Sequence, residues 1–285
     1  MVTENYNLMP ERIPGRNKRS FRNMETLQMW DKVPGRADEV PVLEYYRAEN
    51  RKSDGCVVIY PGGGYAGRAP HEGKGYAEFF NSIGMDAFVC EYRVTPHYFP
   101  LPLLDARRAV RYVRHHAAEY GLDPAKVAVM GSSAGGHLAA LVSTYTAPID
   151  FENLDDVDGE NPIPNATILC YPVIHYPDET KVSHGGSYVN LLGPDRIGVA
   201  PGYSPDLLVS DSTPTAFLWH TSDDDGVNVI NSYLYASALR RHGIAHEMHI
   251  FPNGPHGLGL APQLPHVAQW SGLLENWLHN LGWFA

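Results

Sequence analysis

The sequence predicts an α/β fold in which a mainly parallel sheet carries helices on both faces. Strand patterns and helix patterns alternate from residue 55 to the end of the chain, and this order favours parallel strands joined by right-handed crossover helices. Several of the predicted strands are short apolar runs that indicate burial. The 285 residues, 44% of them hydrophobic, are enough to form one large core.

The individual elements follow from the period of the apolar residues and from the glycines at their ends. Residues 39–48 alternate, which predicts a strand, and residues 55–65 form a β-branched run ending in glycines, which predicts a buried strand that leads into a loop. Residues 101–121 predict a long amphipathic helix. The same criteria predict further strands at 85–93, 126–131, 165–174, 214–222 and 245–253, and further helices at 73–84, 134–145, 228–243 and 267–283.

Two segments fall outside this alternation. Residues 1–40 are rich in Pro, Arg and Asn and show no clear period, so they predict an irregular N-terminal arm before a domain of residues 41–285. Residues 175–212 are rich in Gly, Pro, Ser and Asp. This second segment is too long for an ordinary connection and predicts a functional lid or binding loop.

The composition argues against several kinds of partner. The formal net charge is -10, and an acidic chain repels nucleic-acid backbones and anionic membrane surfaces. No apolar run approaches the ~18 residues that span a bilayer, and the first residues lack the apolar stretch of a signal peptide. We therefore expect a cytoplasmic protein that binds neither nucleic acid nor membrane. The sequence leaves the oligomeric state open, a homo-oligomer included.

The three cysteines, Cys56, Cys90 and Cys170, each lie in an apolar run predicted as a strand. Their odd number and the lack of a C-x-x-C pattern argue against a disulfide framework and against a cysteine zinc site. We expect buried thiols that pack as small apolar side chains.

The strongest functional signal lies between the strand at 126–131 and the helix at 134–145. Gly131, Ser133 and Gly135 match the pattern G-x-S-x-G there. So sharp a strand-to-helix turn strains the backbone at the serine and leaves no room for side chains at the flanking positions. The hydroxyl would stand at the positive end of the helix, clear of the sheet. Small residues are common at such turns, but this context predicts that Ser133 is a nucleophile.

A serine nucleophile needs a base and a group that orients the base. Behind a turn of this kind the chain order is serine, acid, histidine. Asp223, Asp224 and Asp225 directly follow a predicted strand, and His256 lies in a glycine-rich loop after the last strand. Because parallel strands deliver functional groups at their carboxyl ends, we predict that His256 is the base and that one of the three acids orients it.

The stretch "YPGGGY", residues 60–65, also follows a predicted strand. Its three glycines can leave backbone N–H groups free to point into a cavity. Such donors stabilise the oxyanion of a tetrahedral intermediate, and the loss of one typically costs ~3 kcal/mol. We predict an oxyanion loop at this position.

These residues together resemble the α/β-hydrolases of the esterase/lipase group related to hormone-sensitive lipase, and most of all the bacterial acetylxylan-esterase-like proteins. The resemblance covers roughly residues 40–282. It implies the α/β-hydrolase fold with a mainly parallel central sheet. It rests on "PGGGY", "YRVTPHYFPLPLLDARRAVRYVR", "VMGSSAGGHLAA", "PTAFLWHTSDDDGVNV" and "FPNGPHGLG".

The resemblance also assigns roles to residues of this chain. It implies that Ser133 is the nucleophile, that His256 is the base, and that the backbone N–H groups of Gly63, Gly64 and Ala134 are the oxyanion donors. The usual loop of the family reads HGGG, and the histidine, which mainly holds the loop, is replaced here by Pro61.

The acid of the family lies in the frame D-x-x-V-P, and this frame points to Asp224. Asn228 occupies the position where proline is usual, so Asp223 and Asp225 remain alternatives.

We therefore expect a serine carboxylesterase that acts on short acyl esters, in particular acetyl esters of small sugars such as xylo-oligosaccharides, with no metal or organic cofactor. The alternatives are a peptidase of the same superfamily and a non-catalytic small-ligand receptor on the same fold. A polar and aromatic lining suits a sugar ester better than a long acyl chain. The candidate substrate contacts are Tyr65, His184, Ser187, Tyr188, Asn190 and Tyr203.

Overall fold

The computed structural model describes residues 24–35, 38–150, 154–176 and 182–284. The strands are β1 (Met24–Gln28), β2 (Val42–Tyr46), β3 (Cys56–Tyr60), β4 (Asp86–Glu91), β5 (Val127–Ser132), β6 (Ala166–Cys170), β7 (Thr215–Thr221) and β8 (His246–Phe251). The helices are α1 (Pro70–Ile83), α2 (Leu101–His115), α3 (Ala117–Tyr120), α4 (Ser133–Thr144), α5 (Gly185–Leu192), α6 (Pro205–Leu208), α7 (Ile230–Arg241), α8 (Pro265–Ala268) and α9 (Trp270–Asn280).

All of these strands belong to one sheet in the order β1-β2-β4-β3-β5-β6-β7-β8. β1, β2 and β4 pair antiparallel, and every pair from β4 to β8 is parallel. One apolar layer packs α2, α4 and α7 on one face, and a second packs α1 and α9 on the other. These features confirm the predicted fold class, and each strand predicted from the sequence is present. The predicted helices are also present, but those at 101–121 and 267–283 are each divided in two, α2 with α3 and α8 with α9.

The strand β1 corrects the prediction that residues 1–40 form an irregular arm. Met24–Gln28 pairs with β2 at the edge of the sheet. Of its side chains only Leu27 is buried, so the strand lacks the apolar alternation by which a strand is recognised in a sequence. The rest of the predicted arm up to residue 23 lies outside the described residues.

The predicted lid at residues 175–212 is largely helical rather than irregular where the structure describes it. It contains α5, a 3-10 segment at Pro194–Tyr203, and α6. α5 buries one side, formed by Ser187, Tyr188, Leu191 and Leu192. Its short length and its two N-terminal glycines hide this pattern in the sequence.

Two further findings bear on the chemistry of the chain. The three cysteines are buried and free, and burial raises the pKa of the Cys56, Cys90 and Cys170 thiols. In the part of the chain that the structure describes, no helix combines the length and the apolar character needed to cross a membrane.

Candidate active site

Ser133 lies at the first position of α4, directly after β5, with a φ of 53°. The turn is tight because two backbones meet there. A Cβ atom on Gly131 would lie 2.0 Å from the carbonyl oxygen of Gly135, and one on Gly135 would lie 2.0 Å from the carbonyl oxygen of Tyr60. Both glycines are therefore required by close approach, and the turn presents the Ser133 hydroxyl at the carboxyl edge of the sheet.

His256 connects Ser133 to a carboxylate. Its Nε2 lies 2.8 Å from Ser133 Oγ, and its Nδ1 lies 2.8 Å from Asp224 Oδ2. Because Nδ1 faces a carboxylate, Nδ1 carries the proton in neutral histidine, and Nε2 accepts the serine hydroxyl. The side chain of Asp224 is 1% exposed and that of His256 is 25% exposed. The line Ser133–His256–Asp224 thus runs from the surface of the site into the protein.

Asp224 is held as a carboxylate by its surroundings. Its Oδ1 accepts the backbone N–H groups of Gly226 and Val227, each at 2.8 Å. Burial alone would raise the pKa of Asp224, but hydrogen bonds from His220, His256 and the Val227 amide outweigh it and hold this pKa well below its ordinary value. The group that faces His256 is therefore ionised at neutral pH.

The neighbouring acids have other surroundings. Asp223 accepts Asn253 Nδ2 at 2.9 Å and Gly254 N at 2.8 Å, and these hydrogen bonds lower the pKa of its carboxyl group. Asp223 thus ties the loop after β7 to the loop that carries His256. Asp225 is exposed. Within the described chain, Asp224 is the one of the three acids that contacts His256.

His220 is a member of this site that the sequence analysis missed. It is buried in β7, and its Nε2 lies 2.9 Å from the carbonyl oxygen of Val227 and 3.2 Å from Asp224 Oδ2. Both neighbours are acceptors, so Nε2 carries the proton, and Nδ1 accepts the hydroxyl of Ser232 at 2.8 Å. A histidine in an otherwise apolar strand, four residues before the acid, is the signal that could have identified it.

Each carbonyl oxygen of the loop at residues 61–65 accepts a hydrogen bond from the protein. Six donors hold these oxygens: Tyr92 OH on Pro61, Ala69 N on Gly62, Ala66 N and Gly67 N on Gly63, Asn190 Nδ2 on Gly64 and Thr95 N on Tyr65, at 2.6–3.2 Å. Gly62 N donates to Glu72 Oε2 at 2.8 Å. The N–H groups of Gly63 and Gly64 have no backbone acceptor among the described residues. Ala134 lies in the first turn of α4, where an N–H group has no partner within the helix.

The structure buries three of the predicted substrate contacts, Tyr65, Ser187 and Tyr188. Tyr65 is 1% exposed, and its hydroxyl lies 2.8 Å from His137 Nδ1. Tyr188 is also 1% exposed, and its hydroxyl donates to the carbonyl oxygen of Ile174 at 3.0 Å. Both aromatic rings pack beside His137. They fill the space behind the oxyanion loop, and their hydroxyls do not face a ligand.

The other candidates lie around α5 and the 3-10 segment that follows it. His184 is half-buried, and its Nδ1 lies 2.8 Å from Ser187 Oγ. Burial and then the charge of nearby His256 lower the pKa of His184, so His184 lies within electrostatic reach of His256. Asn190 reaches the oxyanion loop at Gly64. The ring of Tyr203 packs against Phe99, with 4.5 Å between ring centroids.

The sheet order, the turn at Ser133 and the three groups at strand ends define an α/β-hydrolase. The family model BD-FAE matches residues 43–239. This match extends over more than half of the chain, and the chain belongs to the BD-FAE family.

Individual relatives agree with this assignment. The acetyl ester-xyloside bifunctional hydrolase from Caldicellulosiruptor lactoaceticus is 42% identical, with a TM-score of 0.85 over 92% of this chain and 97% of that one. Endo-1,4-beta-xylanase B of Butyrivibrio fibrisolvens is 36% identical over 81% of this chain and 36% of its own length. An acetylxylan esterase of Xylanibacter ruminicola is 34% identical over 79% of this chain and 45% of its own length. The chain therefore spans less than half the length of the last two relatives.

Proposed function

We propose that this chain is a serine carboxylesterase with Ser133, His256 and Asp224 as its catalytic triad. The observation that carries the proposal is the unbroken hydrogen-bonded line from Ser133 Oγ through His256 to Asp224, beside two backbone N–H groups without a backbone acceptor in the described chain. This arrangement supplies a nucleophile, a base, an orienting acid and an oxyanion site. The esterases among the similar proteins support the same reaction class.

In the first half of the proposed reaction, Ser133 Oγ attacks the ester carbonyl carbon while His256 Nε2 takes the hydroxyl proton. The new C–O bond places negative charge on the former carbonyl oxygen, where the N–H groups of Gly63, Gly64 and Ala134 can donate to it. Asp224 stabilises the imidazolium that forms. His256 then gives its proton to the alcohol oxygen as the C–O bond to the leaving group breaks, which leaves an acyl ester on Ser133.

In the second half, water attacks the acyl ester and His256 Nε2 accepts one of its protons. Collapse of the second tetrahedral intermediate breaks the bond between the acyl carbon and Ser133 Oγ. The proton on His256 returns to Ser133, and the carboxylic acid leaves. The free enzyme is restored with no change in oxidation state, so these steps need no reactant besides ester and water.

We infer that the substrates are acetyl esters of small sugars, such as xylo-oligosaccharides. Two relatives carry the names acetylxylan esterase and acetyl ester-xyloside bifunctional hydrolase. Half-buried His184 and Asn190 offer polar atoms on the α5 side. The cytoplasmic location remains a prediction from the sequence, as does a possible homo-oligomer.

The proposed nucleophile is tested by replacing Ser133 and its neighbour Ser132 with alanine and comparing the esterase activities of the two variants. Ser133→Ala should lower esterase turnover by about 10⁴-fold or more, as in other triad enzymes, and should abolish labelling by a fluorophosphonate. Ser132 is the matched control, since its Oγ is buried and lies 2.8 Å from Tyr76 OH. Ser132→Ala should keep most of the activity. A wild-type protein that resists the label would favour the small-ligand receptor.

The proposed substrate class is tested by a series of nitrophenyl esters from acetate to octanoate, together with acetylated xylose and peptide substrates. Turnover should peak at acetate or propionate and fall by hexanoate, because a CH₂ group gains about 0.8 kcal/mol only where it is buried in an apolar site, and the half-buried candidates His184 and Asn190 are polar. Acetylated xylose should release acetate. Faster turnover of octanoate would refute the short-acyl assignment, and faster cleavage of peptides would favour the peptidase.

A further inference from the structure

Glu72 is a buried carboxylate for which the proposed reaction has no use. It lies in the first turn of α1, and its side chain is 3% exposed. Its one ion-pair contact in the described chain is with exposed His71, at 3.8 Å. A buried carboxylate is costly unless hydrogen bonds compensate for the lost water, so the groups that donate to Glu72 indicate its role.

Two donors reach Glu72 from two different loops. Gly62 N donates to Oε2 at 2.8 Å, and the hydroxyl of Tyr171 donates to Oε1 at 2.7 Å. Gly62 directly precedes Gly63 and Gly64, whose N–H groups are the proposed oxyanion donors. The carboxylate therefore holds the peptide next to these donors.

Tyr171 extends this contact to the loop that carries His256. Its hydroxyl accepts the N–H of Gly259 at 2.9 Å, and its ring packs edge-on against the ring of His256 with 5.2 Å between centroids. The hydroxyl of Tyr76 lies 3.2 Å from that of Tyr171 and 2.8 Å from Ser132 Oγ. One network thus joins the oxyanion loop, the turn at Ser133 and the histidine loop.

The packing around Gly62 also depends on Glu72. A Cβ atom on Gly62 would lie 2.5 Å from Glu72 Oε2, 2.7 Å from the carbonyl oxygen of Ser132 and 3.1 Å from Ser133 Cβ. Gly62 therefore lies in close contact with both the carboxylate and the nucleophile turn, with no room there for a side chain.

Three successive glycines make this loop costly to order, yet oxyanion donors are effective only when they are already in place. The family's usual histidine before the glycines is replaced by Pro61. We propose that Glu72 is the positioning residue of the oxyanion loop and that it couples this loop to the histidine loop through Tyr171. The inference rests on the proposed esterase function, since its effect is on oxyanion stabilisation.

The test compares Glu72→Gln, Glu72→Met and Tyr171→Phe with Glu78→Gln, a control on the same helix at a half-buried glutamate that pairs with Lys74. Active sites are counted with a fluorophosphonate, so that misfolded protein does not enter the rate. Glu72→Met should lower kcat for nitrophenyl acetate by about 10- to 10²-fold, a smaller loss than the removal of a whole oxyanion donor. KM should stay within about threefold of wild type, because the lost interaction belongs to the transition state.

Three outcomes decide the inference. Glu72→Gln, whose amide oxygen can still accept Gly62 N–H, should recover part of the kcat that Glu72→Met loses. The loss in transition-state free energy, calculated from kcat, should be smaller in the double variant Glu72→Gln/Tyr171→Phe than the sum of the losses in the two single variants. A trifluoromethyl ketone, whose adduct places an oxyanion in the site, should lose affinity in step with kcat. If kcat per active site is unchanged in both Glu72 variants, or if KM rises by the factor that kcat falls, Glu72 has no positioning role.

The rate of phosphonylation by the fluorophosphonate separates this inference from the proposed function. The phosphonyl oxygen occupies the oxyanion site, so labelling should slow in the Glu72 variants and not in Glu78→Gln. If labelling is slower in the Glu72 variants but the wild-type protein hydrolyses no ester, the proposed function is refuted and the role of Glu72 is supported. A wild-type protein that neither labels nor hydrolyses esters would overturn both.

Discussion

At the residue scale, Asp223, Asp224 and Asp225 follow one another in the chain and have three different environments. Asp223 binds the histidine loop, Asp224 binds His256 itself, and Asp225 is exposed. The difference arises because Asp224 lies where two backbone N–H groups and His220 converge on one carboxylate. Such convergence allows a buried carboxylate to stay ionised beside an imidazole.

This geometry predicts the effects of replacing each acid by its amide. Asp224→Asn should lower kcat by about 10⁴-fold, because an amide can hold His256 in the wrong tautomer. Asp223→Asn should cost far less, since it weakens only the contacts to Asn253 and Gly254. Asp225→Asn is the control for the loss of one charge. Steady-state rates per active site measure all three, and a larger loss at Asp223 or Asp225 would show that the acid lies elsewhere.

Individual residues also show what the sequence can predict. Ser133 and His256 are recognisable because a spacing pattern and the chain order constrain them locally. His220 offers a weaker signal, a histidine in an apolar strand four residues before the acid. Glu72 offers none, because its partner Tyr171 is 99 residues away in the chain. Tyr65 misled the sequence analysis, because its position in the glycine loop suggests exposure while its side chain packs inside the protein.

At the element scale, the turn from β5 to α4 depends on the close approach of two backbones. Gly131→Ala would place Cβ 2.0 Å from the carbonyl oxygen of Gly135. Since neither backbone can move without displacing Ser133, we expect a loss of stability at or above the upper end of the ~1–3 kcal/mol that overpacking usually costs. Urea unfolding measures this loss, and esterase activity should fall with it.

Gly272→Ala is the matched control for this substitution. Gly272 lies in α9, and its added Cβ would have no neighbour within 4 Å among the described residues. Alanine favours the helix interior over glycine by about 1 kcal/mol, so this variant should be as stable as wild type or more so. Equal stability of the two alanine variants would contradict the close approach at Gly131.

The apolar period of α2 predicts which side of the helix packs on the sheet, but not the partners of its polar side chains. Its apolar side is evident from the sequence and packs on the sheet. Four arginines of the helix are nevertheless buried: Arg107, Arg108, Arg111 and Arg114. Arg108 donates to Asp155 at 2.7 Å, and the other three bind backbone carbonyl groups of the connections around the helix. A periodicity cannot reveal such partners, because connections have no period of their own.

At the scale of the whole molecule, the alternation of elements predicts a parallel sheet but not the order of its strands. β4 lies between β2 and β3, so β3 and β5 are neighbours in the sheet. Because the strands from β3 to β8 run parallel, the carboxyl ends of β3, β5, β7 and β8 lie at one edge. The oxyanion loop, Ser133, Asp224 and His256 follow these four strands and meet there. The sequence could predict that these groups lie at strand ends, whereas their 2.8 Å contacts depend on packing across the sheet.

Buried His137 makes the stability of the whole fold depend on pH. Its Nε2 donates to the carbonyl oxygen of Tyr203 and its Nδ1 accepts Tyr65 OH, so it is neutral in the folded protein. Burial lowers the pKa of His137 to about 4, and the hydrogen bond to Tyr203 only partly opposes this shift. In the unfolded chain the pKa is about 6.5.

The sign of the effect follows from these two pKa values. Above about pH 6.5 neither state binds the proton. Between about pH 6.5 and pH 4 the unfolded chain binds it and the folded protein does not, so the free energy of unfolding falls by up to about 1.4 kcal/mol per pH unit. Asp224, whose folded pKa is depressed, adds its own loss only at lower pH, as the pH drops below the unfolded value of about 3.9.

His137→Gln isolates this contribution, because the amide offers one donor and one acceptor but cannot be protonated. Urea unfolding at intervals from pH 7 to pH 4.5 should give a flatter stability curve for His137→Gln than for wild type, even if the variant is less stable at pH 7. His242→Gln, at an exposed histidine, controls for the loss of an imidazole at the surface. Parallel curves for wild type and His137→Gln would show that His137 titrates alike in the folded and unfolded states.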